Sequence, residues 1–297
     1  MDLKNLTITT CLYYDLCGTE FGGRVHPRNK YFYGLISMLK MNCSVVLYCW
    51  EKNIKELRDF VVAEYGEDVL QKIRFEPFDL YKSPLYNIIR TIKDPEEQKK
   101  SDRTYDLMQA KFLMVKNTIQ KNYYNVDNFY YMDVGLSSSA LFPFKYLPIV
   151  NDPMKKWSDC SLFNNELANG LIKIIDPPNK VVMWRISDWL HWIDPVHLRT
   201  TDRESIIGGI FGGKREPMLK YCDDITDRFT DMVLNKKTLY LDEVIMTIEH
   251  NFNSDKYKKI DFDVWYHEDS GDWCQAAIVG KKSFYRTFEE LNNSHAN

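Results

Sequence analysis

The sequence predicts an α/β fold, a sheet of mainly parallel strands covered by helices on both faces. Two observations carry that expectation. Short apolar segments rich in Val, Ile, Thr, Tyr and Phe alternate with amphipathic segments of helical period along the first half of the chain. The 297 residues, 44% hydrophobic and 14% aromatic, suffice for one large core, and no linker divides them.

Each element follows from its own pattern. "LTITTCLYY" (6–14) is β-branched and aromatic, a buried strand running into Asp15. A loop with Gly22, Gly23 and Pro27 comes next, then "KYFYGLISMLKM", which sets Tyr31, Leu35, Met38 and Leu39 at helical spacing. "CSVVLYCW" (43–50) reads as a second strand, "IKELRDFVVAEYG" as a helix stopped by Gly66, and "IRFEPF" (73–78) as a third strand. "KDPEEQKKSDRT" (93–104) is charged and aperiodic, a solvent loop. Tyr105, Met108, Phe112, Val115 and Ile119 then mark a core-facing helix that leads into the strand "FYYMD". The second half is less regular: strands are expected at 180–186 and 205–213, and helices at "EPMLKYCDDITDRFTDMVL" and "LDEVIMTIEHNF".

Composition narrows the function classes. A net charge of −3 and a pI near 6.1 give no global basic field for nucleic acid or anionic membrane. Seven scattered cysteines without a C-x-x-C pair read as buried, reduced thiols, and argue against structural zinc. No signal-peptide pattern and no apolar run near membrane-spanning length is visible, so a soluble cytoplasmic protein is expected.

"FYYMDVGLSSSALFP" (129–143) holds the first candidate site residue. Asp133 ends a buried strand, and a carboxylate there is costly to bury unless something neutralises it. In doubly wound sheets ligands sit at such carboxyl ends; Gly135 allows close approach. The competing role for Asp133 is a cap on the next segment. "GGIFGG" (208–213) brackets two apolar residues with glycine pairs, as close packing against a ligand or backbone, or an ordinary turn, requires. Asp242 and Glu243 open a helix, where its dipole favours acids.

These stretches together resemble the HtrL/YibB family of bacterial glycosyltransferases, enzymes of GT-A type. "YDLMQAKFLMVKNTIQKNYYNVDNFYYMDVGL" (105–136) is similar to the family's tyrosine, lysine-aromatic pair, helix, turn and strand-end acid. "GGIFGG", "LDEVIM" and the opening "ITTCLYYDL" follow the family pattern in the same serial order. The resemblance implies a single GT-A-like, Rossmann-type domain over 1–297, with a nucleotide-sugar half (1–136) and an acceptor half (137–297). It implies a glycosyltransferase that moves a sugar from a nucleotide-sugar, a UDP-sugar foremost, to a hydroxyl acceptor with Mn2+ or Mg2+.

Residue roles follow from the same resemblance. Asp133 would hold the cation, although "DVG" lacks the second acid of a D-x-D element. Further ligands would come from "YHEDSGDW" (266–273), with His267, Asp269 and Asp272 as candidates; the competing and preferred reading of His267 is an ordinary surface histidine. Asp242 or Glu243 would be the base of an inverting reaction. Tyr13, Tyr14, Asp15, Arg24, Arg28, Lys111, Asp133, Gly135, Gly212 and Gly213 are the expected donor contacts. Core packing competes for the tyrosines, and solvent-directed snorkelling for Lys111. "WRISDWLHWIDPVHL" (184–198) offers indoles for a sugar acceptor or for the core of a short helix. The acceptor preferred is a saccharide. Hydroxymethylated phage DNA is the runner-up, through Lys99-Lys100-Arg103, Lys155-Lys156 and Lys214-Arg215. A non-catalytic sugar- or nucleotide-binding module is the non-enzymatic alternative.

Overall fold

A computed structural model of the chain describes residues 3–13, 20–21, 24–25, 28–93, 104–135, 165–186, 205–240 and 242–262. Seven strands form one sheet: β1 (Thr7–Cys11), β4 (Ser44–Cys49), β5 (Ile73–Pro77), β6 (Asn128–Met132), β7 (Val181–Ile186), β8 (Ser205–Lys214) and β9 (Tyr257–Phe262). A two-residue pair, β2 (Glu20–Phe21) and β3 (Arg24–Val25), stands apart from it. The helices are α1 (Arg28–Leu39), α2 (Ile54–Tyr65), α3 (Pro84–Ile89), α4 (Thr104–Lys121), α5 (Asn165–Ile174), α6 (Arg215–Asp231) and α7 (Asp242–Phe252).

The sheet runs β5-β4-β1-β6-β8-β7-β9. Only β8 is antiparallel to its neighbours, β6 and β7; every other pairing is parallel. The mixed, mostly parallel sheet flanked by helices is the class the sequence predicts. Strands from both halves of the chain join this one sheet.

Alternation sorts the strand residues onto two faces. Ile8, Val45, Leu47, Tyr130, Met132, Val182 and Trp184 pack with α1, α2 and α5. Phe129, Tyr131, Val181, Met183 and Phe211 pack with α3, α4, α6 and α7. A third cluster, Cys11, Tyr13, Val46 and Tyr48, meets Ala110 and Met114 of α4. α4 is therefore apolar on more than one side, which the three-four stripe alone does not suggest.

Local chemistry sets how α4 enters β6. The helix ends at Asn122, which takes a positive φ of 39°, a conformation asparagine tolerates. The Asn122 side chain donates to the Val126 carbonyl and accepts from the Val126 N–H, both at 3.0 Å, closing the turn. Asn5 then binds the Asp127 N–H and side chain, fastening the start of β6 beside β1.

The expected strands and helices of the first half appear within a few residues of their predicted limits. The first strand stops at Cys11, short of the predicted 14. α5, β9 and the short α3 were not foreseen from sequence. The loop at 93–104 and the tryptophan-rich 184–198 lie largely outside the described residues.

Candidate active site at the carboxyl edge of the sheet

From β1 the chain builds outward through β4 to β5, then returns to the other side of β1 as β6. The order reverses between β1 and β6, and ligands of open α/β sheets bind outside the carboxyl ends of strands at such a point. Tyr13 lies just past the end of β1, and Asp133 just past the end of β6.

Four chain segments meet at this edge: α4, the end of β6, β8 and the start of α7. Lys111 projects from the middle of α4, its side chain 3% exposed, and pairs with Asp242 at the start of α7, 4% exposed. The Lys111 ammonium also donates to the Gly208 carbonyl at 2.6 Å. The Gly208 N–H donates to Glu243 Oε1 at 3.3 Å. Asp133 is anchored through its own N–H, which donates to the Gly209 carbonyl at 2.8 Å. Its Oδ1 accepts from the Tyr131 hydroxyl at 2.5 Å. That bond, from a side chain rather than a backbone N–H, is not the capping pattern.

Neighbouring contacts hold α7 in register with β8. Thr247 Oγ1 accepts from the Ile206 N–H at 3.0 Å and donates to the Glu243 carbonyl at 2.7 Å. Gln109 of α4 donates to the Tyr240 carbonyl at 3.2 Å, just ahead of α7. The β7–β8 pairing shifts register between Met183 and Arg185. That irregularity lies on the stretch of β8 whose backbone is satisfied by side chains instead.

Gly208 explains the first glycine pair. A Cβ there would run into the Asp242 carboxylate and come within 3.0 Å of Glu243 Cγ, so only glycine lets the strand lie against the acids. The second pair has a different cause: a Cβ on Gly212 would enter the Tyr130 ring, and one on Gly213 would meet the Lys180 carbonyl at 3.2 Å. Both are paired with Tyr130 and Phe129 inside the sheet, where the glycines make room for core side chains.

Electrostatics follow from burial. Burial raises the Asp133 pKa, opposed by the Lys111 charge and the Tyr131 hydrogen bond, and leaves it above its ordinary value. Burial, with Asp242 adding to it, pushes Glu243 up to about 7. For Lys111 burial favours the neutral form, but Asp242 and Asp133 outweigh it and its pKa is raised. The lysine is a buried counter-charge, so snorkelling to solvent is not its role.

Three carboxylates, Asp133, Asp242 and Glu243, lie around the single Lys111 ammonium. Asp133 is the free end of this set: its Oδ2 accepts no hydrogen bond from the described residues. Asp242 is already neutralised by Lys111. Among the described residues no three His, Cys, Asp or Glu gather closely enough to hold an ion.

The other expected site residues divide clearly. Tyr13 is 3% exposed, its hydroxyl donates to the Phe78 carbonyl at 3.0 Å, and its ring meets Trp50 edge-on at 4.9 Å. It is a core residue rather than a stacking platform. A Cβ on Gly135 would come within 3.1 Å of the Tyr31 ring, so the close neighbour seen there is α1. Tyr14, Asp15, His267, Asp269, Asp272 and the side chains of Arg24 and Arg28 lie outside the described residues. Sequence reasoning missed Tyr131, and marked Gly208 only as one of the closely packed glycines of "GGIFGG" without naming the acids it lies against. The first is signalled by standing two residues before Asp133 on the same strand face.

No family profile and no curated protein matches the chain. Among solved structures it is similar to 4-diphosphocytidyl-2C-methyl-D-erythritol synthase from Anaerococcus prevotii, with 12% identity over 98% of this chain and 94% of that one, TM-score 0.42. It is similar to CMP:2-keto-3-deoxy-manno-octonic acid synthetase complexed with CTP, with 8% identity over 90% and 94%, TM-score 0.41. Mouse xyloside xylosyltransferase 1 gives 9% identity over 86% and 84%, TM-score 0.45. Among the described residues no helix is long and apolar enough to cross a membrane.

Proposed function

We propose that the protein is a glycosyltransferase of GT-A type, moving a sugar from a nucleotide-sugar donor to a hydroxyl of a saccharide acceptor. One observation carries the reading. Lys111, Asp133, Asp242 and Glu243, named from sequence for that chemistry, converge at the carboxyl edge where the strand order reverses.

The parts then divide by geometry. Asp242 is held by Lys111 and serves to fix that ammonium in place. Glu243, with a pKa near neutrality, is the better base for the acceptor hydroxyl, because a general base works best when its pKa lies near the working pH. Asp133 is the residue that would hold a divalent cation at the donor diphosphate. Such a cation, when bound, supplies electrostatic stabilisation to the departing nucleoside diphosphate. The family assignment to HtrL/YibB-like enzymes rests on the sequence motifs.

The test is donor hydrolysis and transfer with manganese across a panel of nucleotide-sugars, for wild type and Asp133→Ala. Asp133→Ala is expected to abolish turnover with its thermal midpoint nearly unchanged, since it removes a carboxylate that burial already disfavours in its charged form. Preserved activity per folded molecule alongside a large loss of stability would refute the assignment.

A further inference from the structure

We propose that Thr247 is a positioning residue for Glu243, its hydroxyl locking the start of α7 to β8 so that the Glu243 carboxylate stays bonded to the Gly208 N–H. This rests on the reading of Glu243 as the base and adds to it a residue that the reading does not use.

The lock begins with an irregular strand. Met183 is in register with Phe211 and Arg185 with Ile206, so Ile207, Gly208, Gly209 and Ile210 of β8 stand against Trp184 alone. A bulge of this kind takes strand N–H groups away from their ladder partners. At Ile206 and Gly208 the acceptors come from α7 instead: Thr247 Oγ1 at 3.0 Å and Glu243 Oε1 at 3.3 Å. The spacings agree, since two residues of strand advance about 6.6 Å and four residues of helix about 6 Å. α7 therefore runs beside β8 with two side chains in place of a partner strand.

The hydroxyl has one arrangement. An N–H only donates, so Thr247 Oγ1 accepts from Ile206 and gives its own proton to the Glu243 carbonyl at 2.7 Å. The bond back along the helix is ordinary for a threonine. The bond from β8 is not, and together the two tie the Glu243 backbone to the strand. Thr247 is 4% exposed, which leaves little room for water to replace either partner. The charges acting on Glu243 are Asp242, Lys111 and Asp133, and its Gly208 bond favours the ionised form. A helix that slipped along the strand would change the proton affinity of Glu243 as well as its place.

Thr247→Val keeps the shape and removes the hydroxyl; Thr247→Ser keeps the hydroxyl. The titration of Glu243 is read by carbon-13 NMR of protein labelled at the glutamate carboxyl carbons, its resonance being the one missing in Glu243→Gln. In Thr247→Val the midpoint is expected to rise by about half a pH unit or more, because the bond weakened is one that favours the charged form. In Thr247→Ser it is expected to stay at the wild-type value. A midpoint unchanged or lowered in a folded Thr247→Val, or the same shift in both variants, overturns this inference alone. Full donor turnover by Glu243→Gln overturns the base reading and with it the catalytic meaning of the lock. Should Thr247→Val not fold, amide hydrogen exchange of the wild type decides. An Ile206 amide that exchanges slowly supports the lock, and one that exchanges at the rate of an open chain overturns it.

Discussion

Lys111 and Asp242 lie 131 residues apart in sequence and form a buried ion pair, the lysine reaching from α4 to the first residue of α7. Neither charge can be rehydrated in place, since both side chains are almost wholly covered. The desolvation of two charges cancels much of their attraction, so the pair as a unit is weak evidence for stability. What it does is join helix to helix at one point, with the Gly208 carbonyl as a third partner. The site is built around that point.

Removing one partner differs sharply from removing both. Lys111→Met leaves Asp242 uncompensated in the interior and is expected to cost about 3–5 kcal/mol of unfolding free energy. Lys111→Met combined with Asp242→Leu is expected to recover most of that loss while remaining inactive. Urea unfolding of the two variants checks the pair. A single variant as stable as wild type would show that Asp242 finds water or another donor.

Gly208 gives a second, steric prediction. Its missing Cβ is occupied by the Asp242 carboxylate, with Glu243 Cγ next to it. Gly208→Ala must displace either β8 or the start of α7, and overpacking of this kind typically costs about 1–3 kcal/mol. Because Gly208 also bridges Lys111 and Glu243, the same substitution is expected to lower kcat in the molecules that remain folded. Differential scanning calorimetry paired with turnover per folded molecule measures both. An alanine variant with wild-type stability and turnover would mean that the acids yield without consequence.

How far the sequence anticipates this arrangement depends on the range of the interaction. β1, β4 and β6 are legible as β-branched and aromatic runs buried at every position, the pattern of a strand covered on both faces, and β5 as a short alternation of apolar and polar residues. Asp133 is legible because it interrupts such a run. Lys111 is ambiguous in sequence, since a lysine beside an apolar stripe usually reaches solvent. Only the folded α7 supplies the carboxylate that keeps it inside. The glycines of "GGIFGG" announce close approach but not its object: Gly208 makes room for an acid, Gly212 for the Tyr130 ring. β9 escaped notice because "YKKIDF" carries charges at alternate and adjacent positions, as suits a strand at the sheet edge.

Glu243 makes stability depend on pH in a direction opposite to that of an ordinary paired carboxylate. Its folded pKa of about 7 lies above the unfolded value of about 4.3. Between those values the folded protein binds more protons than the unfolded chain, so stability falls as pH rises through the window and levels off above it. Asp133, whose pKa is also raised, contributes with the same sign. Glu76 has a lowered pKa and works the other way, so the total curve does not isolate the effect. The difference between wild type and Glu243→Gln does, because the amide cannot ionise. Glu243→Gln is expected to gain stability relative to wild type from about pH 5 to about pH 8, as read by denaturant unfolding at each pH. A difference that stays constant across that range would place the glutamate's titration elsewhere and remove it as the base poised near neutrality.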